Sequence, residues 1–412
     1  MLRLEVPLEA LASFDEAESR FVLEAGEYRF WLGESLDDAC AVCLTLLEET
    51  AAVRKAQRLL AQAETIPLPA VTPRPLPPAA ALPVLTLSVP ALPEPERGAD
   101  AAAEEAQRLA AGLGAEELLC LVVGDPMKGQ GSPESRGVYP PGAAAVTTGS
   151  GSAPEMALAD GPAGLRLAQD LDISDGRIVP RDLGETLLRL KTPVPDGAAR
   201  RWQFCTAFPV GTSLAQTFDR ALIEEIGAAV GEEMRRFGVA LWLAPGMNLH
   251  RDVLCGRNFE YYSEDPLLSG SIAAAMVRGI QSVPGCGATI KHFAANNWET
   301  QRMHTDSVVS ERALRELYLR GFEIAVRESR PAAIMTSYNK LNGTLAANSR
   351  DLCARLARGE WGFDGLIMTD WYTTVQSPDC SASGCLRAGN DLIMPGTPGD
   401  LEDLRAALRS RG

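Results

Sequence analysis

The chain has 412 residues, is 46% apolar and carries a net charge of −15. That length accommodates two or three domains, or one large barrel with an accessory piece. No apolar run approaches the ~20 residues that span a bilayer, and the acidity argues against a nucleic-acid partner, which would need a basic face.

Nine cysteines are scattered singly, with Cys40 and Cys43 the nearest neighbours. An odd count without paired spacing reads as reduced, buried thiols in a cytoplasmic protein. Only His250, His292 and His304 are available as imidazole ligands, in no metal-like spacing, so no metal and no cofactor is expected. No charged-then-apolar leader opens the chain.

In chain order, residues 1–60 form a first unit. RFVLEAGEYRFWL (20–32) reads as strand, glycine turn, strand, with helical character expected over 51–63. This is too little for a whole β-sandwich, which needs about seven strands, so it reads as the tail of one. Residues 66–96 are rich in proline and alanine and read as extended linker. The linker region as a whole is set at 61–100. A helix is expected over 101–113, opening a main domain that runs from 101 to 412.

From there short apolar runs alternate with longer amphipathic stretches. The runs fall at 118–123, 156–160, 203–207, 239–244, 288–293, 332–337, 366–370 and 391–394. Helices are expected over 219–237, 266–282, 310–327 and 350–358. Eight strands alternating with helices predict a closed (β/α)8 TIM-type barrel. A doubly wound open sheet is the alternative, weakened by the missing dinucleotide fingerprint. GQG at 129–131 reads as flexible loop before it reads as a phosphate loop.

In such a barrel, chemistry collects where strands exit into βα loops. The exits here carry Asp160; Arg257 and Glu260; Lys291 and His292, followed by Asn296, Asn297, Glu299 and Arg302; Tyr338 and Asn339; and Asp370 with Trp371. Each has an ordinary structural explanation. Asp370 would cap a helix, Asp160 would make a turn, Arg257 would pair with Glu260, and His292 would be a core histidine. Together, at one end of the strands, they make a hydroxyl-binding lining with an aromatic face at Trp371. A carboxylate at the pocket floor suits attack on an oxocarbenium-like centre. Lys291 as a Schiff-base lysine is a competing chemistry.

These residues lie in segments that resemble a known family. GRNFEYYSEDP (256–266), KHFAANNWE (291–299), MTSYNKLNG (335–343) and GLIMTDW (365–371) look like the catalytic barrel of family 3 glycoside hydrolases, the β-glucosidase type. ADGPAGLR (159–166) and AGNDLIMPG (388–396) are similar to its second- and eighth-strand signatures. EAGEYRFWLGESLDD, near the start, is similar to the end of the family's fibronectin type III-like domain. The resemblance implies a retaining exo-acting β-glycosidase, a β-glucosidase before a β-xylosidase, that acts on a β-glucoside or short oligosaccharide. Asp370 would be the nucleophile. Asp160, Arg257, Lys291, His292, Tyr338 and Trp371 would hold the sugar, with Glu260 and Glu299 behind them. The fibronectin-like segment precedes the barrel, as in the subgroup with reversed domain order. The family's acid/base glutamate, carried on a separate sandwich domain, has no counterpart here. A catalytically incomplete fragment that only binds sugar is therefore the alternative. KHFAANN also departs from the loop that bears a histidine acid/base in the family's N-acetylglucosaminidases.

Overall fold

The computed structural model describes residues 6–33, 38–60, 83–86, 101–125, 140, 142–150, 153–175, 177–178 and 196–410. Two compact units emerge: Met1–Ala99 with Val309–Glu316, and Asp100–Val308 with Leu317–Gly412.

The first unit holds two three-stranded sheets. One pairs Arg20–Leu23 antiparallel with both Ser13–Asp15 and Ala51–Lys55; the other pairs Cys40–Leu47 with Gly26–Leu32 and Val84–Thr86. Strands Arg20–Leu23 and Gly26–Leu32 are present where expected, Gly26 opening the second in a positive-φ conformation (149°), but they lie in different sheets and do not pair with each other. The helix expected from residue 51 is not there: Ala51–Lys55 is a strand. Its alanines favour helix locally, but Val53 is buried among Phe14, Phe21, Leu23 and Leu47. That burial and the antiparallel register against Arg20–Leu23 override the propensity. Glu316 accepts from the Phe14 backbone N–H at 2.6 Å, and the Arg315 guanidinium lies 4.7 Å from the Phe14 ring centroid. Cys40 and Cys43 both lie on the strand Cys40–Leu47, and Cys40 is exposed rather than buried. All nine cysteines are free thiols. Of the proline-rich stretch only 83–86 is described, as the strand Val84–Thr86, and the GQG loop lies outside the described residues.

The second unit is built on a ring of short strands. Leu366–Met368, Ala333–Thr336, Gly287–Phe293, Leu241–Trp242 and Ala157–Ala159 run parallel in that order, and Ala145–Val146 adds antiparallel to Ala157–Ala159. Three bridges close the ring: Asp125 to Val146, Val123 to Ile393, and Leu392 to Met368. The result is a TIM-barrel-like α/β fold with eight stations, one of them reversed. Closure rules out the open doubly wound sheet. Ala145, Leu158, Leu241, Leu243, Ala333, Met335, Met368, Leu392 and Met394 form one buried cluster along the ring.

Three of the eight expected strands differ. Residues 118–123 are mostly the helix Ala115–Leu121, and only Val123 reaches the ring. A short apolar run does not distinguish strand from helix. Here Glu117 reaches back to the Gly114 N–H at 2.8 Å, and Arg405 of the helix Pro398–Arg409 pairs with Glu116. Residues 203–207 form no strand. The neighbouring Ala199–Trp202 joins Asp170–Ser174 and Arg177–Ile178 in a separate sheet, with Trp202 and Phe204 both exposed. The ring position goes instead to Ala145–Val146, too small and short to signal itself. At 391–394 the chain makes bridges rather than a continuous strand.

The helices stand close to where periodicity puts them: Ala101–Ala111, Arg220–Phe237, Pro266–Gln281, Arg320–Ser329 and Asp351–Glu360. Asp219 caps the second of these through the Ala221 and Leu222 N–H groups, and Asp265 caps the third through Leu268. Pro266–Gln281 is buried along most of its length, packed between Arg220–Phe237 and Arg320–Ser329. Glycines set this packing. A Cβ on Gly279 would stand 2.1 Å from the Glu224 carbonyl oxygen.

Candidate active site

The C-terminal strand ends gather the charged residues. Gly287–Phe293 is buried throughout and delivers Lys291 and His292 side by side. Lys291 Nζ donates to Asp160 Oδ1 at 2.8 Å, and Arg166 pairs with Asp160 Oδ2. Burial alone would raise the Asp160 carboxyl, but Lys291 and Arg166 outweigh it and hold it at about 2. The strained turn at Gly161 (φ 137°) makes this possible, since a Cβ there would meet the Gly164 carbonyl at 2.0 Å. An ammonium tied to a carboxylate has no lone pair with which to attack a carbonyl, which speaks against Schiff-base chemistry at Lys291.

The loop after Leu241–Trp242 brings in Arg257, which forms an ion pair with Glu260. Thr212 holds this loop by donating toward the Asn258 and Tyr261 carbonyls at 2.9 and 3.0 Å. Asn248 clamps the His292 backbone, accepting its N–H at 2.8 Å and donating to its carbonyl at 2.9 Å. Burial, then the charges of Arg257, Lys291 and Arg302, push the His292 imidazole well below its ordinary value, so it is neutral near pH 7.

Asp370 follows the strand Leu366–Met368 and is 7% exposed. Its Oδ1 accepts the Trp371 N–H at 2.7 Å. Its Oδ2 has no hydrogen-bond partner among the described residues and lies 3.8 Å from His292 Nε2. Burial raises this carboxyl above the usual range, and Arg257 and Lys291 pull it partly back. The turn is fixed by Thr373, which donates to the Asp370 carbonyl at 2.8 Å, and by Thr369, which accepts the Met394 N–H at 2.9 Å. Tyr338 donates its hydroxyl to the Trp371 carbonyl at 2.8 Å, and burial and Asp370 hold its phenol above the ordinary value. Trp371 is half-buried against the ring cluster.

Asp160, Arg257, Lys291, His292, Tyr338, Asp370 and Trp371 are therefore neighbours at one end of the ring. Glu260 and Glu299 stand behind them, committed to Arg257 and Arg302. Sequence reasoning did not single out Arg166, Asn248 or Tyr261, and it placed Asn296 at a strand exit without a role. Arg166 and Tyr261 lie inside recognised motifs, but nothing in residue type distinguishes them from scaffold.

The geometry defines a TIM-barrel-like α/β protein with a buried cluster of charged residues at the strand exits. Residues 175–410, more than half of the chain, match the glycosyl hydrolase family 3 N terminal domain, and the chain belongs to that family. Asp160 and Arg166 precede the matched stretch. The chain is 51% identical over 193 residues to a β-glucosidase of Ruminococcus albus, covering 46% of this chain and 20% of that one. It is 42% identical over 247 residues to thermostable β-glucosidase B of Acetivibrio thermocellus, covering 60% and 29%. Among solved structures, β-glucosidase 3B of Thermotoga neapolitana in complex with α-D-glucose aligns at TM-score 0.63 and 44% identity, over 74% of this chain and 40% of that one. A β-glucosidase of Paenibacillus barengoltzii aligns at TM-score 0.72 and 30% identity, over 98% and 45%. The chain thus spans less than half of the length of each of these relatives. Among the described residues, no helix is long and apolar enough to cross a membrane.

Proposed function

We propose that this barrel carries the first sugar subsite of a retaining exo-acting β-glycosidase, a β-glucosidase by the company it keeps. The observation that carries the reading is Asp370: a buried carboxyl with one oxygen unpartnered, at a strand exit, 3.8 Å from His292 and within the fields of Arg257 and Lys291. In this reading Oδ2 attacks the anomeric carbon, the aglycone leaves, and a glycosyl-aspartate forms. Water then attacks the anomeric carbon and releases the sugar. The Lys291–Asp160 pair, Arg257 and His292 hold ring hydroxyls, and Trp371 covers a sugar face.

Retaining hydrolysis needs a second carboxyl as acid and base. Asp160, Glu260 and Glu299 are each tied to a cation, so we assign that role to a group outside the described residues. We read 1–60 as the end of a fibronectin type III-like domain, 61–100 as linker and 101–412 as the catalytic barrel. The Paenibacillus alignment, over 98% of this chain and 45% of that one, supports reading both units as part of a longer architecture. Nine free thiols support a reducing compartment such as the cytoplasm.

The test is incubation with a 2-fluoro-glucoside bearing a dinitrophenyl leaving group, followed by intact mass and peptide mapping. A sugar adduct on Asp370 is expected. An adduct on another residue, or none on a folded protein, overturns the assignment.

A further inference from the structure

His292 is buried with neighbours at both ring nitrogens: the Tyr261 hydroxyl 3.1 Å from Nδ1 and Asp370 Oδ2 3.8 Å from Nε2. A neutral imidazole carries one proton, and its position decides whether His292 donates into the pocket or presents a lone pair there. Four residues behind the histidine settle the choice. Arg302 donates to Glu299 Oε2 at 2.9 Å, and Asn296 Nδ2 lies 3.0 Å from Glu299 Oε1. An ionised carboxylate only accepts, so the amide atom that faces it is the nitrogen, and the orientation of Asn296 is fixed. The same nitrogen lies 3.1 Å from the Tyr261 oxygen and gives it the second amide hydrogen. Tyr261 is fully buried. Its oxygen already accepts, so its own proton goes to the one acceptor beside it, His292 Nδ1.

We propose that Glu299, held by Arg302, fixes the orientation of Asn296, and that the hydrogen bonds running from Asn296 to Tyr261 to His292 lock His292 as its Nε2–H tautomer, a donor facing the Asp370 side of the site, which makes Tyr261 and Asn296 positioning residues. The functional part of this inference rests on the glycosidase reading; the tautomer itself does not. The polarity is set by the Glu299 carboxylate, which accepts from both Arg302 and Asn296 and cannot donate. It is consistent at the near end, where an N–H rather than a lone pair faces the Asp370 carboxylate. The neutral charge state that a tautomer requires follows from burial and the surrounding cations. Arg302 also lies over the Tyr338 ring, 4.5 Å from its centroid, so one guanidinium borders both the histidine chain and the tyrosine that holds the Trp371 carbonyl.

The experiment is long-range 1H–15N correlation on the full chain labelled with 15N-histidine. His250→Gln and His304→Gln assign the signals. The expected result at pH 7 is a neutral His292 with the proton on Nε2, and a mixture of tautomers in Tyr261→Phe, which keeps the ring and removes the hydroxyl. A proton on Nδ1 in the unsubstituted chain overturns the proposal, whether or not the variant folds. So does a folded Tyr261→Phe that retains the pure Nε2–H form. Trapping by the fluoro-glucoside should slow about tenfold in Tyr261→Phe, the worth of one buried hydrogen bond, and a folded variant that traps at the full rate overturns the positioning role. If the unsubstituted chain shows the expected tautomer but takes up no label, the hydrogen-bond chain stands and the glycosidase reading falls.

Discussion

Two aspartates in one pocket titrate in opposite directions, and the difference separates their tasks. Asp160 is tied to Lys291 and Arg166 and held at about 2, below an ordinary aspartate. A lowered folded pKa adds stability above the unfolded value, and that stability is lost as pH falls through the folded one. The Asp160 contribution should therefore be intact at pH 5 and disappear between roughly pH 4 and pH 2. Acid unfolding of Asp160→Asn should lack this component. The variant should also lose about 3–5 kcal/mol at neutral pH, because Lys291 is left buried and unpaired. Chemical denaturation at several pH values reads both.

Asp370 is raised instead, so its ionised form is disfavoured in the fold. Protonation stabilises the folded state relative to the unfolded one, and that advantage is lost as pH rises through the raised value. If Asp370 is the nucleophile proposed above it must be ionised to attack, so the acid limb of fluoro-glucoside trapping should lie above the usual carboxylate range. A limb near an ordinary aspartate would contradict the burial argument. Asp370→Asn removes the disfavoured charge at constant shape. It should abolish trapping while leaving Tm unchanged or higher, the pattern of a site strained for function.

At the scale of elements, helix packing makes the sharpest forecast. Gly→Ala inside a helix ordinarily stabilises by about 0.5–1 kcal/mol. Gly279 reverses that sign, since its Cβ would enter the backbone of the neighbouring helix, 2.1 Å from the Glu224 carbonyl. Gly279→Ala should lower stability by about 1–3 kcal/mol; a rise in Tm would show that the two helices separate freely. Elements with long periodic patterns were legible for the same reason that they are stable. Arg220–Phe237 announces itself by an aspartate cap, 3.6-residue periodicity and the αL glycine Gly238 at its end. Short elements were not legible. ELLCL at 117–121 is apolar enough for a strand, but the Glu117 cap on the Gly114 N–H and the packing of Leu119 into a core cluster go with a helix there. Ala145–Val146 has two small residues and a reversed direction that only ring closure explains. In the site, polar residues at strand exits were visible because a buried run ending in charge is unusual. Tyr261 was not, and Asn296 was visible without its role, because both roles depend on which atoms the side chains face across the loops.

At the scale of the molecule, the question is which group protonates the leaving aglycone. On the proposed mechanism Asp370 is the buried nucleophile, and the carboxyls of Asp160, Glu260 and Glu299 are all bound to cations. If the acid lies outside this chain, the glycosyl-aspartate should form only when the aglycone departs without help. Dinitrophenyl glucosides meet that condition; phenyl and alkyl glucosides do not. General acid catalysis contributes about 10²–10⁴-fold, and its absence should appear as a steep fall of the glycosylation rate with leaving-group basicity. Measured across a series of aryl glucosides by the pre-steady-state release of phenol, the slope should be near that of unassisted departure. A shallow slope would mean that a proton donor operates within this chain. Glu299 would then be the first residue to examine, since it sits three hydrogen bonds from His292 through Asn296 and Tyr261. Glu299→Gln would restore the steep dependence if it were the acid and leave the shallow one in place if it only holds Asn296.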